Sequence, residues 1–421
     1  MRALYSLNIF FYGILIRIAS PFNAKAKAWL QGRKNWEEEL RKKFPGNTSK
    51  VVWFHCASLG EFEQGRPVME RFRKENPEWK ILLTFFSPSG YEVRRNYPGA
   101  DFICYLPLDT KRNAKKFVEI VSPSLIYFVK YEFWLNFLAE FRKKKIPHIL
   151  FSAIFREDQI FFKGHGKIFR DALKGFEMIF TQEENSVKLL SSIGVKSIAA
   201  GDTRFDRVSE IAADAKEIPL AKIFSGDEKK VIVAGSTWPS DEEKLFPAME
   251  ELFRSDWKLI IAPHELGESH ISSIEKALQQ NGLNTEQIVR YSTATEQTVS
   301  SKKALIIDNI GMLSSLYRYG KIAYVGGGFG KSIHNILEAA VYGMPVIFGP
   351  AHEKFNEAKE MIRLKSGFPV KNETELKNSL RDLTSNEVQL KFFSLRSLEF
   401  VKQNCGATEK ILGASSSAIN R

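Results

Sequence analysis

An α/β fold is predicted, with two Rossmann-like domains, each a parallel sheet carrying crossover helices. Two observations support it. From residue 51 onward, short runs rich in β-branched and aromatic residues alternate with amphipathic stretches long enough for a helix, the pattern of strand–helix–strand units. A polar segment at residues 206–227 then divides these runs into two sets of similar extent. The length of 421 residues, with 44% apolar and 26% charged side chains, supplies cores of that size and excludes collagen-like, wholly disordered and polytopic membrane chains. Cys56, Cys104 and Cys405 are odd in number and far apart, which fits neither a disulfide framework nor a zinc site. A reducing compartment is the simpler inference.

The chain opens on a segment that is both basic and apolar. Of a net charge of +12, residues 1–50 hold ten basic side chains against three acidic ones. Such an excess implies an anionic partner: nucleic acid, a membrane surface or an acidic substrate. Residues 3–16 (ALYSLNIFFYGILI) carry no charge, but fall short of the roughly 20 apolar residues that cross a bilayer. Apolar on every face of a helix, flanked by Arg17, Lys25 and Lys27, and bearing Tyr5 and Tyr12 with Trp29 close behind, the segment is expected to anchor the chain to a membrane with its bulk on the cytoplasmic side. A signal peptide cut near Ala24-Lys25-Ala26 is one alternative, opposed by the lysines around the cut, and a buried helix of a soluble core is the other. No helix-turn-helix, RNA-binding or zinc-finger signature accompanies the charge, so nucleic acid is not an expected partner.

The expected strands follow in order. The first set comprises residues 51–55 (VVWFH), 80–85 (KILLTF), 102–105, 125–129 (LIYFV), 148–151, 178–180 and 197–200; the second comprises 230–234 (KVIVA), 258–262 (KLIIA), 304–307, 322–325 and 345–348. Residues 392–421 have no strand signal and end in a Ser/Ala-rich stretch, expected as a closing helix and a frayed tail. The expected boundaries are an anchor at 1–24, a first domain at 25–210, a linker at 211–227, a second domain at 228–391 and the closing segment at 392–421. Strand-to-loop junctions at 58–61, 236–240 and 326–331 mark where ligands gather in such folds, at the carboxyl ends of the strands, and a cleft between the domains is the expected active site.

Three loops could carry chemistry. Gly326-Gly327-Gly328-Phe329-Gly330-Lys331-Ser332 resembles a phosphate loop but fails on spacing, because the first glycine of a Walker motif would fall on Val325. What remains is a glycine turn before the helix-like run His334-Asn335-Ile336-Leu337-Glu338-Ala339-Ala340, whose opening N–H groups could hold an anion. His334, Asn335 and Glu338 lie one turn apart and could face one ligand. The loop His55-Cys56-Ala57-Ser58-Leu59-Gly60-Glu61 places a carboxylate beside small residues at a strand end, where it could take a proton from an incoming hydroxyl. Lys130-Tyr131-Glu132-Phe133-Trp134 repeats that arrangement. For both glutamates the competing reading is charge complementarity to the next helix.

Seven motifs, taken in order, resemble those of the 3-deoxy-D-manno-octulosonic acid (Kdo) transferases: Ser58-Leu59-Gly60-Glu61, Tyr131-Glu132-Phe133-Trp134-Leu135-Asn136, Gly201-Asp202-Thr203-Arg204-Phe205-Asp206, Ala234-Gly235-Ser236-Thr237, Ala262-Pro263-His264, Asn309-Ile310-Gly311-Met312-Leu313 and His334-Asn335-Ile336-Leu337-Glu338. The resemblance runs from the N-terminal segment to about residue 360. It implies a GT-B glycosyltransferase on the cytoplasmic face of the inner membrane, moving Kdo from CMP-Kdo to the lipid A precursor with release of CMP. By resemblance Glu61 is the general base, Arg204 stands where the family has a lysine that stabilises the departing phosphate, and Glu132 matches an acidic position of the Glu-Leu-Trp-Pro-Asn motif. The first domain would then receive the acceptor. The second would bind the donor through Pro263, His264, Gly311, Met312, Leu313, Asn335, Ile336, Leu337 and Glu338. The resemblance implies no metal and no further cofactor. His264 replaces an arginine common in the family, Lys130 a glutamate and Leu135 a proline. The alternatives that remain are a GT-B transferase using a UDP- or GDP-sugar, a nucleotide-sugar epimerase and a peripheral membrane protein without catalysis.

Overall fold

The computed structural model describes residues 2–44, 49–130 and 133–419. The chain divides into two units, Met1–Asp206 with Cys405–Arg421, and Arg207–Asn404. In the first, β1 (Val51–Cys56), β2 (Lys80–Phe85), β3 (Phe102–Tyr105), β4 (Leu125–Val129), β5 (His148–Ala153), β6 (Met178–Thr181) and β7 (Ile198–Ala199) form one sheet in the order β3-β2-β1-β4-β5-β6-β7. Every pairing is parallel, with Val51 opposite Lys80 and Val52 opposite Leu125 across the central strand. Both faces are covered, which is why these strands read as unbroken apolar runs. Alternate residues of β1 serve opposite cores: Val51 and Trp53 pack with Phe117, Phe137 and Phe141, whereas Val52, Phe54 and Cys56 pack with Phe62, Phe72 and Tyr127.

The second unit repeats the plan. Its strands are β8 (Val231–Thr237), β9 (Lys258–Pro263), β10 (Ile288–Arg290), β11 (Ala304–Ile306), β12 (Ile322–Val325), β13 (Val346–Phe348) and β14 (Gly367–Pro369), in the order β10-β11-β9-β8-β12-β13-β14. β10 and β14 escape a reading of the sequence because they are three-residue edge strands, one carrying Arg290 and the other ending in Pro369, with half their hydrogen-bonding groups unpaired and little apolar signal. In each unit the chain starts at a central strand, winds outward, then returns to its other side. The switch points lie between β1 and β4 and between β8 and β12, and ligands of such sheets bind at the carboxyl ends there.

The segment expected as a linker holds the end of helix Thr203–Ala213 and a further helix, Pro219–Ser225. The expected tail is helix Ala407–Ile419, with Ile411, Leu412 and Ala418 buried in the first unit's core. Asp206 fastens its start by accepting the N–H groups of Gly406 and Thr408, both at 2.6 Å. A Ser/Ala-rich helix has little amphipathic signal, and its order comes from close packing that small side chains permit.

The N-terminal helix, Arg2–Ala19, is held to the first unit by buried polar groups. The Tyr5 hydroxyl donates to Asp109 at 2.6 Å, and the same carboxylate accepts the N–H groups of Asn136 and Phe137 at 3.0 Å each. Asn23 opens the next helix, Ala24–Gln31, by accepting from Lys25 and Ala26. Arg33 is 9% exposed and donates to the carbonyls of Leu106, Trp29 and Phe86, with its guanidinium 3.7 Å from the Trp29 ring. Tyr5 and Trp29, assigned to the membrane by sequence, thus face protein. Nor is the helix exposed on all sides: Leu4, Leu7, Phe11, Leu15 and Ile18 form an exposed stripe at helical spacing, flanked by exposed Phe10 and Tyr12, with Phe22 exposed just beyond the helix end.

Burial pushes the Asp109 carboxyl up to about 6, against the pull of Tyr5, Asn136 and Phe137. A carboxyl raised on folding contributes stability below its unfolded value near 4, and that contribution is lost as pH rises through 6. Relative to Asp109→Asn, the wild-type protein is therefore expected to lose about 2 kcal/mol between pH 4 and pH 7, read from denaturant midpoints of the two proteins.

Candidate functional site

Glu61 lies in the first turn of helix Leu59–Glu75, which follows β1 directly. Ser58 is the N-cap, its hydroxyl 3.5 Å from the Glu61 N–H, and the Glu61 carboxylate accepts the N–H of Ala57. This resembles a capping box, with the glutamate reaching back to the residue before the cap. The backbone therefore fixes a half-buried carboxylate at the β1 side of the switch point, so the capping and catalytic readings of Glu61 describe one geometry. Thr203 is buried and donates to the Gln64 carbonyl at 2.6 Å, one turn on from Glu61 in the same helix. Its neighbour Arg204 is bound by Asp202 through Nε at 2.9 Å and a terminal nitrogen at 2.7 Å, and Asp202 also accepts the Arg204 N–H. Glu61 and Arg204 thus share the carboxyl edge of the first sheet.

Glu132 lies outside the described residues; its described neighbours are fixed. Lys130, directly after β4, is left-handed with φ 61°, its N–H donating to the Phe151 carbonyl. The Trp134 indole donates to His55 Nε2 at 3.2 Å, so that His55 carries its proton on Nδ1, 2.7 Å from the Thr84 hydroxyl. Positive φ at a non-glycine residue stores strain and is often found at functional sites. Ser152 at the end of β5 (φ 54°) and Ser236 near the end of β8 (φ 53°) share the feature, each beside a shift in strand register.

In the second unit the candidate donor residues collect at the ends of β8, β9, β11 and β12. Pro263 ends β9, and the His264 N–H bonds to the Thr237 carbonyl at 2.8 Å, tying β9 to β8. A Cβ on Gly235 would lie 2.1 Å from the Tyr317 hydroxyl and 2.7 Å from Leu313, so only glycine lets the 311–317 segment close on β8. Gly311 is exposed with φ 94°, and Met312 and Leu313 are half-buried. Asn335 donates to Glu338 at 3.1 Å, and Glu338 adds to the burial that raises the Tyr317 phenol. Ile336 and Leu337 have fully buried side chains, so any contact with a ligand is through their backbone.

Two expectations are corrected here. The helix after the glycine turn is Leu337–Ala340, and does not include His334. Within the turn itself, the Gly326 N–H bonds to the Gly235 carbonyl, the Gly327 N–H to Asp241 and the Gly330 N–H to the Gly327 carbonyl. The glycines serve packing, since a Cβ on Gly326 would fall 2.4 Å from the Ser236 carbonyl. His334, expected beside Asn335 and Glu338, instead bonds to Trp238.

The sequence reading missed the acids beneath this site. Asp241 is fully buried and accepts from Trp238 N–H (3.0 Å), Gly327 N–H (2.8 Å) and the Tyr324 hydroxyl (2.9 Å). Glu242 accepts from Thr237 at 2.8 Å and pairs with His270 at 2.9 Å; burial raises its carboxyl. Both open helix Pro239–Phe253, where acids are common for dipole reasons alone, so nothing in the sequence separates these from capping residues.

Solved structures share this fold. UDP-GlcNAc 2-epimerase from Neisseria meningitidis, bound to UDP-GlcNAc, superposes with a TM-score of 0.59 at 17% identity, covering 86% of this chain and 98% of that one. MurG from Acinetobacter baumannii gives 0.57 at 11%, covering 87% and 99%. Identities this low establish the architecture alone. Two parallel α/β units, each with candidate residues at the carboxyl ends of its strands, define the GT-B-like architecture that these neighbours share. Residues 34–207 match the family model described as 3-deoxy-D-manno-octulosonic-acid transferase, and the 3-deoxy-D-manno-octulosonic acid transferase of Aquifex aeolicus is 32% identical over 365 residues, 84% of this chain and 93% of that protein. The chain belongs to the Kdo transferase family.

Proposed function

We propose that the protein transfers Kdo from CMP-Kdo to the lipid A precursor lipid IVA with inversion, releasing CMP. Beyond family membership, the observation that supports this most is Glu61, a carboxylate oriented by backbone at a strand end on the edge that also presents Arg204. Glu61 takes the proton of the acceptor hydroxyl as its oxygen attacks the anomeric carbon. The bond from that carbon to the CMP phosphate oxygen breaks, and Arg204 stabilises the charge that appears on the phosphate. Glu132 is assigned to the acceptor side with them. CMP is held by His264, by the backbone at Pro263, Ile336 and Leu337, by Gly311, Met312 and Leu313, and by Asn335 and Glu338. The test is incubation with CMP-Kdo and a tetra-acylated lipid A precursor. Acceptor mass increased by one or more Kdo units, with CMP release, is expected. Transfer from a UDP-sugar in place of CMP-Kdo would overturn the assignment.

We further propose that the protein works on the cytoplasmic face of the inner membrane, with its first helix lying in the interface. Among the described residues no single helix is long and apolar enough to cross a bilayer; Ala3–Ala19 and Ala24–Gln31 pass only together, bent by 120°. An in-plane helix fits an apolar stripe on one side and protein on the other, with Arg17, Lys25, Lys27 and Lys34 exposed nearby to meet anionic headgroups. Burying one large apolar side chain is worth about 1.5–3 kcal/mol. Phe11→Ser with Leu15→Ser is therefore expected to weaken sedimentation with phosphatidylglycerol-containing vesicles by about tenfold or more, with the fold intact by circular dichroism.

A further inference from the structure

We propose that Trp238 and His334 are positioning residues that clamp His264 as the ligand of the donor's phosphate, a role that rests on the donor site proposed above. The His264 ring lies against Trp238, with centroids 4.4 Å apart and an interplanar angle of 26°, and against His334, at 4.7 Å and 26°. The Trp238 indole N–H donates to His334 Nε2 at 3.1 Å, closing the three rings on one another. The three rings stand on the segments after β8, β9 and β12, and each has its backbone N–H engaged. Asp241 accepts the Trp238 N–H, the Thr237 carbonyl accepts the His264 N–H and the Gly326 carbonyl accepts the His334 N–H. The cluster therefore cannot shift without moving β8, β9 or the loop after β12.

The division of polar atoms within the cluster points to its use. The indole N–H is spent on His334, which must then carry its own proton on Nδ1, and burial and the neighbouring His264 both disfavour a charge there. His264 is exposed, and among the described residues no hydrogen bond engages its ring. Packing alone would not call for three nitrogen-bearing rings at an open edge. A ring held on its faces by aromatic neighbours and bare at its edge is preorganised to donate to an anion without first losing side-chain freedom. The Asp241 carboxylate beneath is covered by its three donors and does not compete for that edge.

The test is CMP binding followed by calorimetry and by intrinsic fluorescence, with donor kinetics alongside. Trp238→Phe keeps a ring face but cannot bond His334; Trp238→Ala loses both. The Kd for CMP and the KM for CMP-Kdo are both expected to rise about threefold in Trp238→Phe, from loss of one hydrogen bond, and about tenfold in Trp238→Ala, from loss of that bond and a stacking face, with kcat changed less than about twofold. CMP should change the fluorescence of the wild-type protein, and most of that change should vanish in Trp238→Phe. Adding His264→Arg to Trp238→Ala should return the Kd to within about threefold of wild type, because a guanidinium brings its own planar fork and needs no clamp. An unaltered Kd in Trp238→Ala, or a weakened one that His264→Arg does not restore, overturns the positioning role, the latter because collapse of the loop is not repaired by a new cation. If the wild-type protein itself fails to bind CMP, the donor-site reading falls, and this inference with it.

Discussion

Glu61→Gln is expected to lower the rate of Kdo transfer by about 10²–10⁴-fold, the range that a positioned general base supplies. The amide retains an oxygen to accept the Ala57 N–H and nearly the same volume, so the turn at Ser58 is kept and only proton acceptance is lost. Thermal stability and CMP affinity should stay at wild-type levels, since the donor residues lie in the second unit. Single-turnover transfer to the lipid A precursor, with CMP titration of the same preparation, separates these quantities. Turnover within about threefold of wild type, in a folded protein, would show that Glu61 caps its helix and does no more.

Arg204→Ala carries the next largest effect, about 10²–10³-fold in kcat, as for loss of one donor to a developing oxyanion. A confounding loss of stability is built into this site. Removing the guanidinium leaves Asp202, 9% exposed, without its cation, and an uncompensated buried carboxylate costs about 1–3 kcal/mol or more. Combining Arg204→Ala with Asp202→Asn removes both charges, and is expected to recover much of the thermal midpoint and none of the activity. Arg204→Lys should fall between wild type and alanine, since an ammonium keeps the charge but cannot present two nitrogens to Asp202. Recovery of transfer by the double variant would assign Arg204 to folding alone.

Much of the fold was legible because the information that makes a buried parallel strand is local. The runs VVWFH, LIYFV, KVIVA and KLIIA announce strands whose two faces are both covered, and they are β1, β4, β8 and β9. Short edge strands such as β10 and β14 bury less and left no such mark. The N-terminal segment was legible as apolar and basic but not as one-sided, because its inward face is made by Tyr5 meeting Asp109, 104 residues away in sequence. The glycine loop was ambiguous in a particular way. Glycines that free the backbone to bind an anion and glycines that let two strands' loops touch are spelled identically, and here Gly326 does the second.

What the sequence determined by itself was the strands buried on both faces, the glutamate after β1 and the order of motifs that resembles the family, all properties of contiguous residues. Which loops become neighbours was decided only by tertiary structure. Strand order places the end of β1 beside that of β4, and the end of β8 beside that of β12. Trp238, His264 and His334 are separated by 26 and 70 residues, yet their rings are in contact because three strands end together. Side-chain chemistry is written residue by residue, whereas adjacency across a sheet depends on how distant segments share one core, and no local pattern encodes that choice.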